Sequence, residues 1–449
     1  MPDTASRPDR PCLSDVILCS AQNVRGVLAG RSLSDGLAQV PPELRAATQA
    51  ITFHVMRRLG LALEIRRILV ARVPPQPLVD ALMLVSLALL DTAAEAAETS
   101  GSPARRDLPV YAVHTVVDQA VTAIQGQRPM RPYKGLLNAT LRSFLRARQS
   151  ILAKARQNPE ALWNHPRWWI DRLRADYPRQ WESLLEAANQ PAPMTLRVNT
   201  RRASIDSVVR ELGNAGVATR QVGAAALVLS EARPVQALPG FNEGWWSVQD
   251  ASAQMAAGLL EPRAGMRVLD ACAAPGGKTA HLLELADIEL LALDADGGRL
   301  DRVGQNLRRL GLMSPAVSLR CADAADTAAW WDGRAFDAVL ADVPCTASGI
   351  VRRHPDIRWL RRKSDVARTA RLQRSIVDSL WETVRPGGRL LYSTCSIFPQ
   401  EGEQQALGFL HRHADADRLP APGQILPLPD EKQASLYDGF FYALFAKRA

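Results

Sequence analysis

The sequence predicts a multidomain chain with an all-helical N-terminal domain, a small α+β segment and a C-terminal doubly wound α/β domain. Apolar residues recur at three- and four-residue spacing through the first third, with almost no strand pattern. The period changes within residues 194–236. From residue 264 onward, short apolar strands alternate with helices, which is the pattern of a mostly parallel sheet covered on both faces. A length of 449 residues suits about three domains.

The N-terminal third is predicted to be a disordered tail over residues 1–12 and a helical domain over 13–150. The tail has no apolar core, so it lacks the pattern of a signal peptide. Proline-rich segments at 41–42 and 74–77 separate helices. The longest apolar run, Ala81 to Leu90, is too short to cross a membrane. The predicted helices span 13–30, 42–72, 77–97, 109–124 and 134–150.

Residues 151–240 are predicted to form linker helices and a small α+β RNA-binding subdomain. Four tryptophans between positions 163 and 181 alternate with arginines. Tryptophans at this spacing either belong to a core or stack on bases, and the sequence leaves both readings open. The predicted elements that follow are a strand over 194–200, a helix over 205–215 and a strand over 226–229.

Residues 241–449 are predicted to form the doubly wound domain. The chain should end in an edge strand that begins at Phe440. Ligands of such domains bind at the carboxyl ends of the strands, near the switch in strand order. The remaining predicted strands span 266–270, 288–293, 316–321, 336–341 and 388–393. The predicted helices span 278–286, 297–310, 364–384 and 401–412.

Charge and cysteine content restrict the partners. The net charge is +9, and arginine greatly outnumbers the six lysines. Arginine binds phosphate in a bidentate manner, which suits RNA or DNA, although genomic base composition produces the same bias. The six cysteines contain no C-x-x-C pair, so neither a metal site nor a disulfide framework is expected. Free thiols suit the reducing cytoplasm.

One stretch, Met266 to Thr279, reads MRVLDACAAPGGKT and predicts a strand, a small-residue loop and a helix start. Such a loop brings the backbone close to a ligand, and the helix N-terminus favours anionic or polar groups. A second apolar run ends at Asp294, 24 residues after Asp270, where nucleotide-binding folds place a ribose-binding acid. Because the loop is neither G-x-G-x-x-G nor a P-loop, it indicates only a nucleotide-like cofactor.

Thiols and carboxylates follow the predicted strands. A thiolate that adds to C6 of cytosine turns C5 into a nucleophile able to attack an electrophilic methyl group. Addition needs an acid or a hydrogen bond at N3, and elimination needs a base, roles that a carboxyl group and a second thiol can fill. Spacing alone does not rank the two thiols. The strand-end residues are Asp270, Lys278, Asp294, Asp323, Asp342, Cys345 and Cys395.

Four motifs together resemble the RNA cytosine-C5 methyltransferase family: DACAAPGGKT, ALDAD, DVPC followed by TASGIVRRHPDIRWL, and YSTCS-x-x-PQE. The fuller pattern resembles the bacterial small-subunit rRNA enzymes of the Sun/Fmu type. KGLLNATLRSFLR is similar to a segment of the NusB-like RNA-binding domain in that branch. The resemblance covers nearly the whole chain. Val343 replaces the alanine that is usual in the family's D-A-P-C motif.

The resemblance implies a Rossmann-like domain that uses S-adenosyl-L-methionine to make 5-methylcytosine in 16S rRNA. It assigns Cys395 as nucleophile, Cys345 to product release, and Asp342 and Lys278 to the catalytic centre. Asp294 would bind the ribose and Asp323 the adenine. The residues expected to bind the cofactor are Cys272, Ala273, Ala274, Pro275, Gly276, Gly277, Lys278, Asp294, Asp323 and Asp342.

The stretch Arg352 to Arg374 holds nine basic residues and two aspartates, directly after Cys345. A solvated helix face explains such a run, but its place beside the active rim favours contact with the RNA backbone. The residues expected to bind RNA are Arg352, Arg353, Arg358 and Arg361. The expected partner is 16S rRNA, free or partly assembled, and the protein is expected to be a cytoplasmic monomer without a membrane.

Three other functions are compatible with parts of the sequence. The catalytic motifs also suit an enzyme that acts on tRNA, and only the NusB-like front end favours rRNA. A non-catalytic RNA-binding assembly factor would need neither thiol. A nicotinamide-dependent oxidoreductase would need a G-x-G-x-x-G turn and would leave both strand-end thiols without a role.

Overall fold

The computed structural model describes residues 12–98, 108–428 and 436–449. The chain forms two compact units: Met1–Gln190 with His354–Arg361, and Pro191–Arg353 with Arg362–Ala449. The predicted boundaries at 150 and 240 differ from this division. The helices of 151–190 belong to the first unit, and the small α+β segment belongs to the unit of the α/β domain. Except for Cys12, the predicted tail lies outside the described residues.

The described part of the first unit is helical. The predicted helix over 42–72 is two helices, because the chain turns at Arg57 and Arg58. Gly60 follows that turn, where a Cβ atom would lie 2.3 Å from the carbonyl oxygen of Glu160. The helices are α1 (Leu13–Leu28), α2 (Leu33–Ala38), α3 (Pro42–Met56), α4 (Leu59–Leu69), α5 (Pro77–Glu98), α6 (Val113–Gly126), the 3₁₀ helix Arg128–Tyr133, α7 (Lys134–Arg146), α8 (Arg148–Ala155), α9 (Pro159–Trp163), α10 (Arg167–Asp176), α11 (Trp181–Ala188) and, much later in the chain, α17 (Ile357–Leu360).

Helix α5 lies in the core of this unit. Among the described helices, it is the one long and apolar enough to span a membrane, but 94% of its apolar window is buried inside the protein. Arg148 is also buried and forms ion pairs with Asp91 and Glu98, each at 2.9 Å. These contacts are those of a helix packed inside the protein core.

The second unit begins with a four-stranded antiparallel sheet of order β2-β3-β1-β4. The two predicted strands and the helix between them are present. Strand β2 was not predicted because its residues are largely exposed and show no apolar alternation. The elements are β1 (Thr195–Val198), α12 (Ile205–Asn214), β2 (Thr219–Val222), β3 (Ala226–Leu229), the 3₁₀ helix Val235–Ala237 and β4 (Trp246–Val248).

A seven-stranded sheet of order β10-β11-β9-β8-β5-β6-β7 forms the rest of the unit. Five strands are parallel, and β11 and β10 are antiparallel additions. The strands are β5 (Arg267–Asp270), β6 (Glu289–Asp294), β7 (Val317–Cys321), β8 (Phe336–Asp342), β9 (Val384–Thr394), β10 (Ala416–Ile425) and β11 (Phe440–Lys447).

The prediction that the last strand lies at the edge is wrong. Strand β11 lies between β9 and β10, and most of its residues are buried. The edge strand is β10, whose sequence ADRLPAPGQI has two prolines and a glycine. Prolines are tolerated at a sheet edge, where a missing N–H is not needed, and they conceal the strand pattern.

Helices cover both faces of this sheet. One face packs against α13, α14 and α15, and the other against α16, α18 and α19. Neighbouring β5 residues serve opposite faces, since Val268 belongs to the first core and Leu269 to the second. The helices are α13 (Met255–Leu260), α14 (Gly277–Leu285), α15 (Gly297–Leu310), α16 (Thr327–Trp330), α18 (Lys363–Thr383) and α19 (Glu403–Arg412), with 3₁₀ helices at Ser348–Ile350 and Pro399–Glu401.

Candidate active site

The loop between β5 and α14 lies where the strand order reverses. Strand β5 has β6 on one side and β8 on the other, so the carboxyl ends of three parallel strands surround the loop. Gly276 has φ +95°, and a Cβ atom there would lie 3.0 Å from the side chain of Val303. Glycine is therefore required both by the backbone conformation and by the close approach of α15.

Asp294 at the end of β6 holds this loop in place. Its carboxylate accepts a hydrogen bond from the Ala274 N–H at 3.1 Å and another from the Asp296 N–H at 3.0 Å. Asp323 follows β7, where its side chain is exposed and accepts from the Ala325 N–H at 2.9 Å. Two acidic side chains therefore lie at the ends of the strands next to the loop.

Asp270 ends β5 beneath the loop. The Thr279 hydroxyl donates to Asp270 Oδ2 at 2.7 Å, whereas the buried Oδ1 atom accepts no hydrogen bond. Burial raises the pKa of Asp270 to about 7, partly offset by the Thr279 hydroxyl. A small-residue turn, an orphaned buried carboxyl oxygen and acids on the next two strands suit a nucleoside cofactor with hydroxyl, amino and charged groups.

Lys278 and Asp342 meet beside the loop. The Nζ atom of Lys278 lies 2.6 Å from Asp342 Oδ2 and 5.2 Å from the ring centre of Phe440. The Ser393 hydroxyl donates to Asp342 Oδ1 at 2.7 Å. These contacts join the ends of β8 and β9 to the first turn of α14.

The two predicted thiols are adjacent. The Sγ atoms of Cys345 and Cys395 lie 3.4 Å apart. Strands β8 and β9 are parallel, and their register pairs Asp342 with Ser393, so the turns after the two strands emerge together. The hydrogen bond with Cys395, followed by burial, raises the pKa of the Cys345 thiol.

Two glycines that had no predicted role also shape this centre: Gly349, within the motif that follows Cys345, and Gly439. The Gly349 N–H donates to the Cys395 carbonyl at 2.9 Å, and the Gly439 N–H donates to the Gly349 carbonyl at 2.9 Å. A Cβ atom on Gly349 would lie 2.0 Å from the Gly439 carbonyl oxygen. The segment before β11 therefore packs directly on the turn after Cys345. Its signal in the sequence was the Asp438-Gly439 pair before an aromatic strand.

The prediction that Arg352 and Arg353 bind RNA is wrong. Arg352 is 4% exposed, and its Nε atom lies 2.5 Å from Asp438 Oδ1. Arg353 forms ion pairs with Asp438 and with Asp250, the latter at 2.6 Å. Both guanidinium groups are committed to carboxylates inside the second unit, so they are not available to phosphate.

The prediction for Arg358 is wrong for a related reason. This residue belongs to the first unit, where it is fully buried. It donates to the carbonyl oxygens of Asn164 at 3.2 Å and Ala188 at 2.6 Å, and to the Asn189 side chain. Burial lowers the pKa of its guanidinium to about 9. Arg361 is half-buried, and its contact with RNA stays a prediction.

The fold and the site define an S-adenosylmethionine-dependent methyltransferase. The cofactor that the family resemblance implied, S-adenosyl-L-methionine, is thereby confirmed. The chain belongs to the RsmB/F family of 16S rRNA methyltransferases. Residues 257–446 match the family described as 16S rRNA methyltransferase RsmB/F, and residues 165–236 match its ferredoxin-like domain.

Curated relatives extend over nearly the whole chain. Ribosomal RNA small subunit methyltransferase B of Vibrio cholerae is 40% identical, covering 93% of this chain and 94% of that protein. The enzyme of that name from Klebsiella pneumoniae is 40% identical, covering 96% and 97%. The crystal structure of a methyltransferase homologue from Pyrococcus horikoshii is 29% identical with a TM-score of 0.55, covering 64% of this chain and 97% of that one. The NusB-like character of the helical domain stays a prediction.

Proposed function

We propose that this protein methylates C5 of a cytosine in 16S rRNA, in the cytoplasm, through a covalent bond between Cys395 and C6 of the base. The observation that carries the proposal is the 3.4 Å separation of two thiols at the ends of neighbouring parallel strands. One thiol suffices for covalent addition, whereas two permit addition and elimination to use separate groups. The family and its curated relatives support rRNA as the substrate.

Cys395 is the nucleophile in this mechanism. The family resemblance assigns this role to Cys395, and Cys345, with its Sγ atom 3.4 Å away, is the second thiol. The Cys395 thiolate adds to C6, and the ring electrons move toward N3. Lys278 and Asp342, in contact at 2.6 Å, supply the hydrogen bond that N3 needs at this step.

Cys345 assists release of the product. Once Cys395 is bonded to C6, Cys345 is the thiol that remains beside the adduct. Cys345 then loses its proton to solvent and takes the proton from the methylated C5. The C6–S bond breaks as the ring double bond re-forms, and Cys395 leaves as a thiolate.

The loop Cys272–Gly277, Lys278, Asp294 and Asp323 would hold S-adenosylmethionine. The bound cofactor supplies the electrophilic methyl group that C5 accepts. Asp294 suits the ribose hydroxyls because its carboxylate is fixed by the N–H groups of Ala274 and Asp296. The orphaned Oδ1 of Asp270 suits a donor at the base of the same cradle.

The exposed face of α18 is the RNA surface that we propose in place of the buried arginines. Arg371 and Arg374 are exposed on this helix, one turn apart, as are Arg362 and Lys363 at its start. The opposite face of α18 carries Gln373, which donates to the Pro344 carbonyl next to Cys345 at 2.9 Å. The basic face therefore belongs to a helix attached to the catalytic turn, where it can bind the backbone around the target base.

The mechanism is tested by trapping the RNA–protein adduct on a denaturing gel. Cys345→Ala should accumulate the adduct when 16S rRNA and S-adenosylmethionine are present, because elimination is blocked. Cys395→Ala should form none. Both variants should bind S-adenosylmethionine as the wild type does. Adduct from Cys395→Ala but not from Cys345→Ala would reverse the two assignments, and adduct from neither would reject covalent catalysis.

Action on tRNA is the alternative that the catalytic centre also permits. Bisulfite sequencing of rRNA and tRNA, from cells with and without the gene, separates the two substrates. We expect the loss of one protected cytosine in 16S rRNA and no change in tRNA. The converse pattern would reject rRNA as the substrate.

A further inference from the structure

Glu401 is a fully buried carboxylate behind the catalytic turns. It ends the 3₁₀ helix Pro399–Glu401 and forms no ion pair with a basic residue in the described part of the chain. Five neutral donors satisfy its two oxygens instead, which compensates for the loss of water around a buried charge. The donors are the Thr346 N–H at 2.9 Å, the hydroxyls of Thr346 and Thr369 at 2.5 Å each, the Ser396 hydroxyl at 2.6 Å and the Gln373 amide at 3.3 Å.

Two of the donor residues come from the catalytic turns, and the other two, Thr369 and Gln373, come from α18. Thr346 directly follows Cys345, and Ser396 directly follows Cys395. The hydroxyl groups of both residues donate to the same oxygen, Oε2 of Glu401. One carboxylate therefore binds the residue after each thiol.

Further contacts make this a closed network. The hydroxyl groups of Ser348 and Ser396 lie 2.9 Å apart, and Ser348 also accepts from the Ile397 N–H at 2.9 Å. Tyr392 donates to the Glu401 carbonyl at 2.7 Å, which attaches the end of β9 to the same residue. Because the hydroxyl groups of Thr346 and Ser396 share Oε2 of Glu401, a shift of this carboxylate would displace both turns together.

We propose that Glu401 is a positioning residue that sets the separation of the two thiols, through Thr346 on one side and Ser396 on the other. The role rests on the covalent mechanism proposed above. Glu401 touches neither thiol, so it acts through the turns. Its charge is also one of the causes of the raised pKa of Cys345, after the hydrogen bond with Cys395, burial and the charge of Cys395.

The first test uses Glu401→Gln in a Cys345→Ala background. The amide has the shape of the carboxylate but presents an N–H₂ group to hydroxyl donors, so the turns lose a common acceptor. We expect the rate of adduct formation, at saturating RNA and S-adenosylmethionine, to fall at least tenfold, because small displacements of reacting groups slow chemistry strongly. The Kd for S-adenosylmethionine, measured by calorimetry, should change less than twofold.

Two milder variants separate the sides of the network and keep the proposal testable if Glu401→Gln does not fold. Ser396→Ala frees the turn of the nucleophile and should slow adduct formation. Thr346→Val keeps the side-chain volume, frees the turn of Cys345, and should slow product release, so that adduct accumulates in an otherwise wild-type enzyme. A merely structural network would lower both rates together, in proportion to the fraction of folded enzyme.

Matched controls come from buried hydroxyls of the N-terminal helices. Thr52→Val and Ser86→Ala each remove a hydroxyl that donates to a backbone carbonyl one turn earlier. Neither substitution should change the ratio of the rate of adduct formation to the rate of product release. If the Cys345→Ala parent forms no adduct, the covalent mechanism and the role of Glu401 both fail. If the parent forms adduct and Glu401→Gln forms it at the same rate, the role of Glu401 alone fails.

Discussion

Arg197 and Glu284 form an ion pair at 2.7 Å with both side chains buried. Arg197 belongs to β1 of the small antiparallel sheet, and Glu284 to α14, the helix that begins at the cofactor loop. Arg197 also donates to the Gly277 carbonyl at 2.6 Å. The small sheet is thus attached, within the second unit, to the element that would cradle the methyl donor.

This pair predicts a strong effect of single substitutions. Arg197→Met should lower the free energy of unfolding by about 3–5 kcal/mol, because it leaves the Glu284 carboxylate buried without a partner. The affinity for S-adenosylmethionine should fall with it, since the Gly277 carbonyl loses its donor. The double variant Arg197→Met, Glu284→Leu should regain most of the stability in urea unfolding. A double variant less stable than the single would contradict this account.

Asp270 predicts a pH dependence of stability. Its pKa is raised by burial from 3.8 to about 7 in the folded protein, so the folded state holds a proton that the unfolded state has already released. The protonated Asp270 carboxyl therefore contributes to the free energy of unfolding in full below about pH 4, and this contribution is lost as the pH rises through about 7. Between low and neutral pH the wild type should lose up to about 4 kcal/mol of stability through Asp270, at about 1.4 kcal/mol per pKa unit. Asp270→Asn has no carboxyl group at this position and should not show that loss. Urea unfolding of both proteins at pH 4.5 and 7.5 measures the difference, and parallel pH profiles would count against it.

Because Arg358 is buried, its substitution should lower stability without weakening RNA binding. Arg358→Met removes the Arg358 donor from the carbonyl groups of Asn164 and Ala188, at about 1–3 kcal/mol for each group left unsatisfied. The folded variant should bind RNA with an unchanged salt dependence. A weaker salt dependence in the folded variant would restore Arg358 as a phosphate contact.

Substitutions on the exposed face of α18 should weaken RNA binding without lowering stability. Arg371→Gln with Arg374→Gln should leave stability unchanged but reduce the slope of log Kobs against log salt by about 1.4, at about 0.7 per single-stranded phosphate contact. The matched control is Arg302→Gln with Arg308→Gln, which removes two exposed arginines from α15 on the other face of the sheet. Filter binding at salt concentrations from about 50 to about 200 mM measures both slopes. Equal changes in the two double variants would show that only net charge matters.

Much of the catalytic domain could be predicted from the sequence, because its signals are local. A glycine turn between an apolar strand and a helix is visible within 14 residues, Met266 to Thr279. Parallel strands place their carboxyl ends on one edge, so Asp342, Cys345 and Cys395 could be expected at a common rim without any knowledge of their contacts. Local patterns therefore suffice to predict the type of sheet and the residues at the carboxyl ends of its strands.

The charged residues that are available to a ligand, and the contacts that hold the two thiols, depend on long-range packing. Arg352 has its partner 86 residues away in Asp438, and Arg358 reaches an acceptor 169 residues away in Asn189. Glu401 binds Thr346 from 55 positions along the chain. A run of charged residues in the sequence shows only that the charges are present. Whether each side chain is buried or paired depends on the distant segments that pack against it. For that reason the structure overturns the RNA-binding prediction at Arg352, Arg353 and Arg358, three of the four named arginines.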